Sequence, residues 1–401
     1  MTNLKMKYNV LFDDSLEQTY KVFSPYRICP IGAHVDHQHG LVTGFAIDKG
    51  VELTYSITDD SIVEMKSANF SGEVSFSIFD VPGPSNGDWG KYLRGAVVAL
   101  KQKYEITRGI KGVIEGSLPI GGLSSSAAVI LCYIMALCHA NNIELDKQEL
   151  IHIASYAERK YVGINNGILD QACEVLCKKD HLLYLDTRSE EYELIPKNPA
   201  MPDFELAVFY SGLSRSLSNT GYNTRTDECR AASWYLKAME GMEIGPFSET
   251  KLRDIEPDIY EKWKTSLPER FRKRAEHFYG ECQRVEKGVE AWKKGDIEAF
   301  GRLVFESGRS SIENYETGSE ELIALHNIMS DTEGIYGGRF SGAGFKGCCI
   351  ALIDPAKKEE IKERITEKAL QYYDERERDL GSEIMRELER VVLLRTVDRK
   401  W

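Results

Sequence analysis

The chain has no surplus of positive charge: 51 lysines and arginines stand against 63 aspartates and glutamates, a formal net charge of −12. Nucleic acid is therefore disfavoured as the main partner, because no basic face has to be explained. An anionic substrate would have to be met by locally placed cations and a metal ion. No apolar run reaches membrane length, the longest being those of core helices, so no membrane partner is expected. No secretory signal peptide opens the sequence, and a cytoplasmic location is expected. The nine cysteines are odd in number and scattered, which argues against a disulfide framework and for reduced thiols. Internal repeats and low-complexity tails are absent too. What remains is a chain of 401 residues, 42% apolar, long enough for two domains with cores of their own.

Its centre is LPIGGLSSSAA at 118–128. Residues 111–118 (KGVIEGSL) read as a strand, whereas 126–140 (SAAVILCYIMALCHA) are apolar almost all round, as in a buried helix. Between them Gly121 and Gly122 carry no Cβ, so the backbone can come close to a ligand that the first N–H groups of the helix face. An anion is the favoured occupant. Ser124, Ser125 and Ser126 add hydroxyls suited to phosphate oxygens or to Mg2+, a hard cation that prefers oxygen. A serine-capped core helix after a tight turn is the other reading of these residues. No lysine follows the glycines, so this is not a P-loop of the usual kind.

Upstream, a strand over 20–23 runs into SPYRICPIGAHVDHQHG, whose prolines and glycines predict a rigid loop projecting Arg27, His34 and Asp36. His34, His37 and His39 have no cysteine among them and fit no structural zinc spacing. Strands are expected over 41–58, 62–67 and 74–79, then an amphipathic helix over 89–104. A helix over 146–161 opens with Asp146 and Glu149 at capping-box spacing. Glu158 falls at the margin of its buried face, as a metal ligand or a rim salt bridge. Asp170 follows a turn-rich segment and could cap the next helix. Strands at 182–186 and 204–210 flank the proline-rich 196–202, the best domain boundary, giving domains 1–198 and 199–401. Helices dominate 222–329, and the charge of the long one over 268–294 reads mostly as a solvated face. Near the end, Gly342, Gly344 and Gly347 have the spacing of a dinucleotide fingerprint. A strand (CCIALI) rather than a helix follows them, which contradicts a dinucleotide-dependent oxidoreductase and leaves a glycine loop that can wall a ligand pocket. Cys348 and Cys349 read as core filler. A helix over 356–373 and a closing strand over 391–397 complete an α+β pattern.

Three glycine-bearing stretches resemble the GHMP family of small-molecule kinases over nearly the whole chain, and galactokinases most closely. The galactokinase signature of arginine followed by Gly-Glu-His-x-Asp is similar to Arg27 through Gly32-Ala-His-Val-Asp36. Their Pro-x-Gly-x-Gly-Leu-Ser-Ser-Ser-Ala resembles Pro119 to Ala127, their Gly-Ile-x-Asp-Gln resembles Gly167 to Gln171, and a tyrosine ahead of a basic cluster resembles Tyr222 before Arg225. The resemblance implies a two-domain α+β fold with mixed and antiparallel sheets. Its N-terminal domain would be ribosomal-protein-S5-domain-2-like and its C-terminal domain a ferredoxin-like α/β sandwich. It also implies an ATP- and Mg2+-dependent sugar 1-kinase. Asp170 would be the base for the anomeric hydroxyl, and Arg27 would steady the alkoxide and the moving phosphoryl group. Ser125 or Ser126 and Glu158 would hold magnesium. His34, Asp36, Gly167 and Tyr222 would grip the sugar. Trp89 would lie beside the adenine, with Pro119, Gly121, Gly122, Leu123, Ser124 and Gly344 along the nucleotide.

Two departures stand out. The adjacent Gly121 and Gly122 make the glycine loop one residue shorter than the family pattern. Ala33 stands where galactokinases carry a glutamate that contacts the C6 hydroxyl, so an acceptor and a negative charge are both gone. Two like charges about 4 Å apart repel by roughly 4 kcal/mol at intermediate dielectric, near a thousandfold in affinity, so the site becomes tolerant of a C6 carboxylate. The phrase around Ala33 and SGAGFKGCC also resembles plant-type galacturonokinases, which carry a basic residue where Lys346 stands. Galacturonate is therefore the expected substrate, and Lys346 either meets the uronate or is a surface lysine. The competing readings are a galactokinase, a kinase of an N-acetylated hexosamine or heptose, and a non-catalytic sugar sensor.

Overall fold

The computed structural model describes residues 3–13, 18–85, 87–119, 121–211 and 221–380. In chain order the elements are α1 (Asn3–Phe12), β1 (Tyr20–Ile28), β2 (Leu41–Ile57), β3 (Ile62–Ser67), β4 (Glu73–Ser77), α2 (Lys91–Leu100), β5 (Ile110–Gly116), α3 (Ser125–Ala140), α4 (Lys147–Tyr156), α5 (Leu169–Leu176), β6 (His181–Asp186), β7 (Tyr192–Pro196) and β8 (Glu205–Tyr210). They continue with α6 (Tyr222–Glu240), α7 (Pro257–Trp263), α8 (Glu269–Lys294), α9 (Ile297–Glu313), α10 (Glu320–Ser330), β9 (Ile335–Phe340), β10 (Cys348–Ile353) and α11 (Lys358–Leu380). Among the described residues, no helix is long and apolar enough to cross a membrane.

Two sheets carry the fold. The first, of seven strands, runs β4-β3-β5-β2-β6-β7 with β1 paired to β2; the second is β8-β10-β9 and wholly antiparallel. The long β2 joins two parts of the first sheet. Its N-terminal residues Leu41 to Gly44 pair with β6, while Val51 to Ile57 pair with β5. β1 lies along most of this strand and slips register between Pro25 and Arg27. A proline has no N–H to give a ladder, and a bulge there re-aims the side chain that follows. That side chain is Arg27, so it projects from a strand and not from the rigid loop that the prolines and glycines suggest.

The core forms where the apolar α3 meets β1 and β2, and it does not stop at the first sheet. Val285, Val289 and Trp292 of α8, Phe300 and Val304 of α9, and Cys348, Ile350 and Leu352 of β10 belong to the same buried cluster. Each such side chain contributes roughly 1.5–3 kcal/mol on leaving water. Trp292, 1% exposed, also donates its indole N–H to the Ile195 carbonyl (3.2 Å). The cysteine pair is core, as read, with both residues fully buried.

Other expectations need correction. α1, β7 and β9 are additional to the elements expected from the pattern. The charge of α8 is mostly solvated, as expected, and Arg274, His277 and Glu281 are the buried exceptions. Ile168, not Asp170, precedes the first turn of α5, so Asp170 is inside the helix and not its cap. The strand expected at 391–397 lies outside the described residues.

α9 packs against β9 through two glycines. A Cβ on Gly301 would collide with the Tyr336 carbonyl, and one on Gly337 with the Gly301 backbone. Backbone is on both sides, so neither can swing away. Gly301→Ala is therefore expected to cost about 1–3 kcal/mol or more of stability; an unchanged denaturant midpoint would show that this contact is looser than drawn.

Candidate active site

Arg27 is 5% exposed and holds three segments together. Its Nε donates to Asp170 Oδ1 (2.7 Å), its Nη2 lies 2.7 Å from the same oxygen, and its Nη1 donates to the Gly122 carbonyl (3.2 Å). Burial alone would lower the pKa of the guanidinium, but the Asp170 carboxylate beside it raises it, so the charge is fixed. Both nitrogens converge on Oδ1, and no hydrogen bond to Asp170 Oδ2 occurs among the described residues. A carboxylate with one oxygen pinned can accept a proton from a positioned hydroxyl through the other.

The glycine loop arrives beside this pair. Gly121 and Gly122 have φ of 136° and 85°, and Ser124 is left-handed at 62° before α3 begins at Ser125. Ser124 makes no side-chain cap bond, and its Oγ is buried with no hydrogen-bond partner among the described residues. The structure thus speaks against the serine-capped helix and for a loop shaped around something else. The second glycine loop packs directly onto the first. A Cβ on Gly347 would sit 2.6 Å from the Gly121 carbonyl carbon, and one on Gly342 2.9 Å from Gly122 Cα. Gly344 lies one step away, against the Phe340 ring.

Glu158 stands at the foot of this loop and is 1% exposed, deeper than the margin position expected from a regular helix. The chain winds as a π-helix over Ala157–Val162, which turns the side chain inward. Its Oε1 accepts from Ser126 Oγ (2.6 Å), and its Oε2 accepts from Asn166 (2.8 Å) and Gln171 (2.7 Å). Burial, then Asp170, pushes its pKa up. Two hard oxygen donors side by side suit a magnesium ion that completes its shell with phosphates. No group of three or more histidines, cysteines, aspartates or glutamates able to hold a metal by itself occurs among the described residues, the three histidines of 34–39 included.

The turn over 32–36 forms the other wall. Gly32 (φ 101°) and His34 (φ 62°) are left-handed. Two side chains of α8 hold the turn: Glu281 Oε1 accepts from Gly32 N (2.8 Å) and Ala33 N (3.3 Å), while His277 Nε2 lies 2.9 Å from the Ala33 carbonyl. Glu281 is itself held by Arg284 (2.7 Å), Ser307 and Arg339 (3.6 Å). Burial would raise its pKa, but Arg284 leads the groups that hold it at about 2. His34 stacks on Tyr315 (4.6 Å), and its Nε2 is buried with no hydrogen-bond partner among the described residues. Burial, then Arg339, keeps its pKa well below the usual value. Asp36, 8% exposed, accepts from His37 N (3.0 Å) and Leu169 N (3.2 Å), and any Cβ on Gly167 would strike its carboxylate. Burial, then Asp170, pushes Asp36 up to about 6. The Tyr222 phenol is raised by burial and then by Asp36, Asp170 and Glu158, which puts it among these carboxylates.

Arg27, Asp36, Glu158, Asp170, Tyr222 and the serines are thus brought together. Trp89 sits apart, half-buried just before α2, with its indole on the Ser71 carbonyl (3.3 Å). Lys346 is half-buried in the second glycine loop. Sequence reasoning missed Glu281, His277, Arg339 and Tyr315. The buried alternation along α8 was the available signal, hidden by the charges around it.

The pattern described as GHMP kinases N terminal domain matches residues 91–178, and that described as GHMP kinases C terminal matches 289–370. The chain is 42% identical over 359 residues to a galacturonokinase of Arabidopsis thaliana, covering 84% of each chain. It is 30% identical over 371 residues to a galactokinase of Staphylococcus saprophyticus, covering 91% of this chain and 93% of that one. Among solved structures, Lactococcus lactis galactokinase complexed with galactose superimposes with a TM-score of 0.84 at 27% identity, over 92% of this chain and 94% of that one. Methanococcus jannaschii mevalonate kinase, at 17% identity and a TM-score of 0.62, shares the fold.

Two substitutions separate internal support from ligand-facing groups. Glu281→Ala strips the Gly32 N–H of its acceptor and leaves Arg339 short of an anion, so a loss of about 3–5 kcal/mol is expected. Ser124→Ala removes a hydroxyl with no partner and should change stability by less than about 0.5 kcal/mol without ligand. Chemical denaturation of both variants checks this; similar losses would mean that Ser124 is bonded internally.

Proposed function

The chain belongs to the GHMP kinase family and is a sugar kinase, and from that premise we propose that it transfers the γ-phosphoryl group of ATP to the anomeric hydroxyl of D-galacturonate. Phosphoryl transfer asks for alignment and spread positive charge more than for covalent participation. Asp170 takes the proton of the sugar hydroxyl through Oδ2. Arg27, bonded to Asp170 on one side and to the glycine loop on the other, stabilises charge where acceptor and phosphate meet. His34, Asp36, Gly167 and Tyr222 grip the sugar. Pro119, Gly121, Gly122, Leu123, the serines and Gly344 line the phosphates, with Trp89 by the adenine. Glu158 with Ser126 or Ser125 would hold magnesium, whose charge offsets that of the phosphates. We place the boundary between the two domains at 198/199.

The observation that carries the uronate reading is Ala33. It is buried in the turn beside His34, offers the sugar no carboxylate, and has two guanidinium groups balanced against the single Glu281 carboxylate behind it. The excess positive charge favours an acidic group at that end of the sugar. The galactose-complexed neighbour and the galactokinase relatives favour a neutral hexose as the second reading.

Kinetics with ATP on galacturonate and galactose side by side decide between them, and a clear preference for galactose would reverse the assignment. Ala33→Glu is expected to depress kcat/KM for the uronate far more than for the neutral sugar, up to about a thousandfold more; equal losses would remove the charge argument. Asp170→Asn should abolish turnover and spare ATP binding by calorimetry. The acid limb of kcat/KM for the sugar, which reports the free enzyme, is expected near pH 6, where Asp36 takes up a proton and one of its oxygens turns from acceptor to donor. Because that carboxyl is raised from 3.8, folding stability falls as pH climbs towards about 6, opposite in sign to a salt-bridged aspartate. A limb below pH 5 would show Asp36 to be an ordinary carboxylate.

A further inference from the structure

The π turn over Ala157–Val162 is what carries Glu158 inward, and something has to keep it wound. Such turns are rare and occur mostly singly, often at functional sites. Within the segment the Glu158 carbonyl accepts from Gly163 N (3.0 Å), at the five-residue spacing of a π winding, and from Ile164 N (3.2 Å). An α-helix is the commoner winding for any such residues, so a contact from outside the segment has to select this one.

Tyr161, three residues after Glu158, makes that contact. Its hydroxyl accepts from Arg94 Nε (3.2 Å) on α2 and donates to the Pro82 carbonyl. Arg94 is 7% exposed and paired with Asp88, whose Oδ1 also accepts from Gly90 N (2.7 Å), so the anchor is itself held. The Tyr161 ring lies against α2 where that helix has no side chain. A Cβ on Gly95 would meet Tyr161 Cδ1 at 3.3 Å and the Ala157 carbonyl oxygen at 3.5 Å, so α2 touches the turn near both its ends. We propose that Tyr161 is a positioning residue: by fastening the π turn to α2 and to Pro82 it sets the direction of Glu158, and with it the place of the metal ion. The proposal rests on the reading of Glu158 as a magnesium ligand and adds to it a residue outside the three glycine-bearing motifs. No bond is made or broken at Tyr161.

Two measurements on the full-length protein test it, with wild type, Tyr161→Phe, Glu158→Gln and the double variant. Tyr161→Phe keeps the ring and removes only the hydroxyl. The first measurement needs no ligand: hydrogen exchange at the Gly163 and Ile164 amides, which bond to the Glu158 carbonyl, should quicken about tenfold or more in Tyr161→Phe as the turn opens locally. The second is titration with Mn2+, a paramagnetic stand-in for Mg2+, in the presence of ADP and followed by electron paramagnetic resonance. Tyr161→Phe should weaken Mn2+ about ten- to hundredfold, the usual effect of removing a group that orients a metal ligand. The double variant should bind Mn2+ no worse than Glu158→Gln alone, because both changes act through one carboxylate. Unchanged exchange at the two amides, unchanged Mn2+ affinity in Tyr161→Phe, or losses that add in full in the double variant would each overturn the proposal. Glu158→Gln with Mn2+ affinity equal to wild type would instead bring down the reading of Glu158 as the metal ligand, and the exchange rates would still decide whether Tyr161 holds the turn.

Discussion

A single guanidinium ties this molecule together. Arg27 reaches from the bulge of β1 to the carboxylate of α5 and to the carbonyl of Gly122, so strand, helix and glycine loop share one buried charge. The register slip between Pro25 and Arg27 comes immediately before this side chain in the strand. Through Arg27 the Asp170 carboxylate and the glycine loop are held at a fixed distance from each other. In phosphoryl transfer that distance is most of the chemistry.

The opposite wall is organised by a second buried charge, and the two are built from different parts of the chain. Glu281 on α8 supports the backbone of Gly32 and Ala33 from 249 and 248 residues away. The turn that presents His34 and Asp36 is left-handed at Gly32 and His34, a conformation that non-glycine residues hold only when the surroundings over-determine it. Glu281, His277 and the stacked Tyr315 are those surroundings. Support from beneath also means that the turn needs no carboxylate of its own at position 33 to hold its shape.

What could be read from the chain was what is local. The glycine and serine run announces itself because φ, the helix start and the hydroxyls all follow from adjacent residues, and α3 is legible because it is apolar on every side. Glu158 was placed at the edge of its helix because a period of 3.6 puts it there; the π turn at Ala157–Val162 has a wider winding that no hydrophobic pattern reports. His277 and Glu281 were invisible for another reason. They lie in a run of charged residues that reads as a solvated face, and the turn they hold, at Gly32 and Ala33, is 244 to 249 positions away.

The meeting of the two glycine loops has a consequence of another kind. Gly121 faces Gly347 and Gly122 faces Gly342 with backbone against backbone, so the fit is made of shape alone. It has no charge to screen and no proton to lose, which makes it indifferent to salt and acidity. It also has no side chain through which a change on one loop could be answered by a change on the other. Segments joined in this way can drift in everything around them, yet they have to be inherited as a matched pair, and a chimera that took its halves from different ancestors would fail first at this seam.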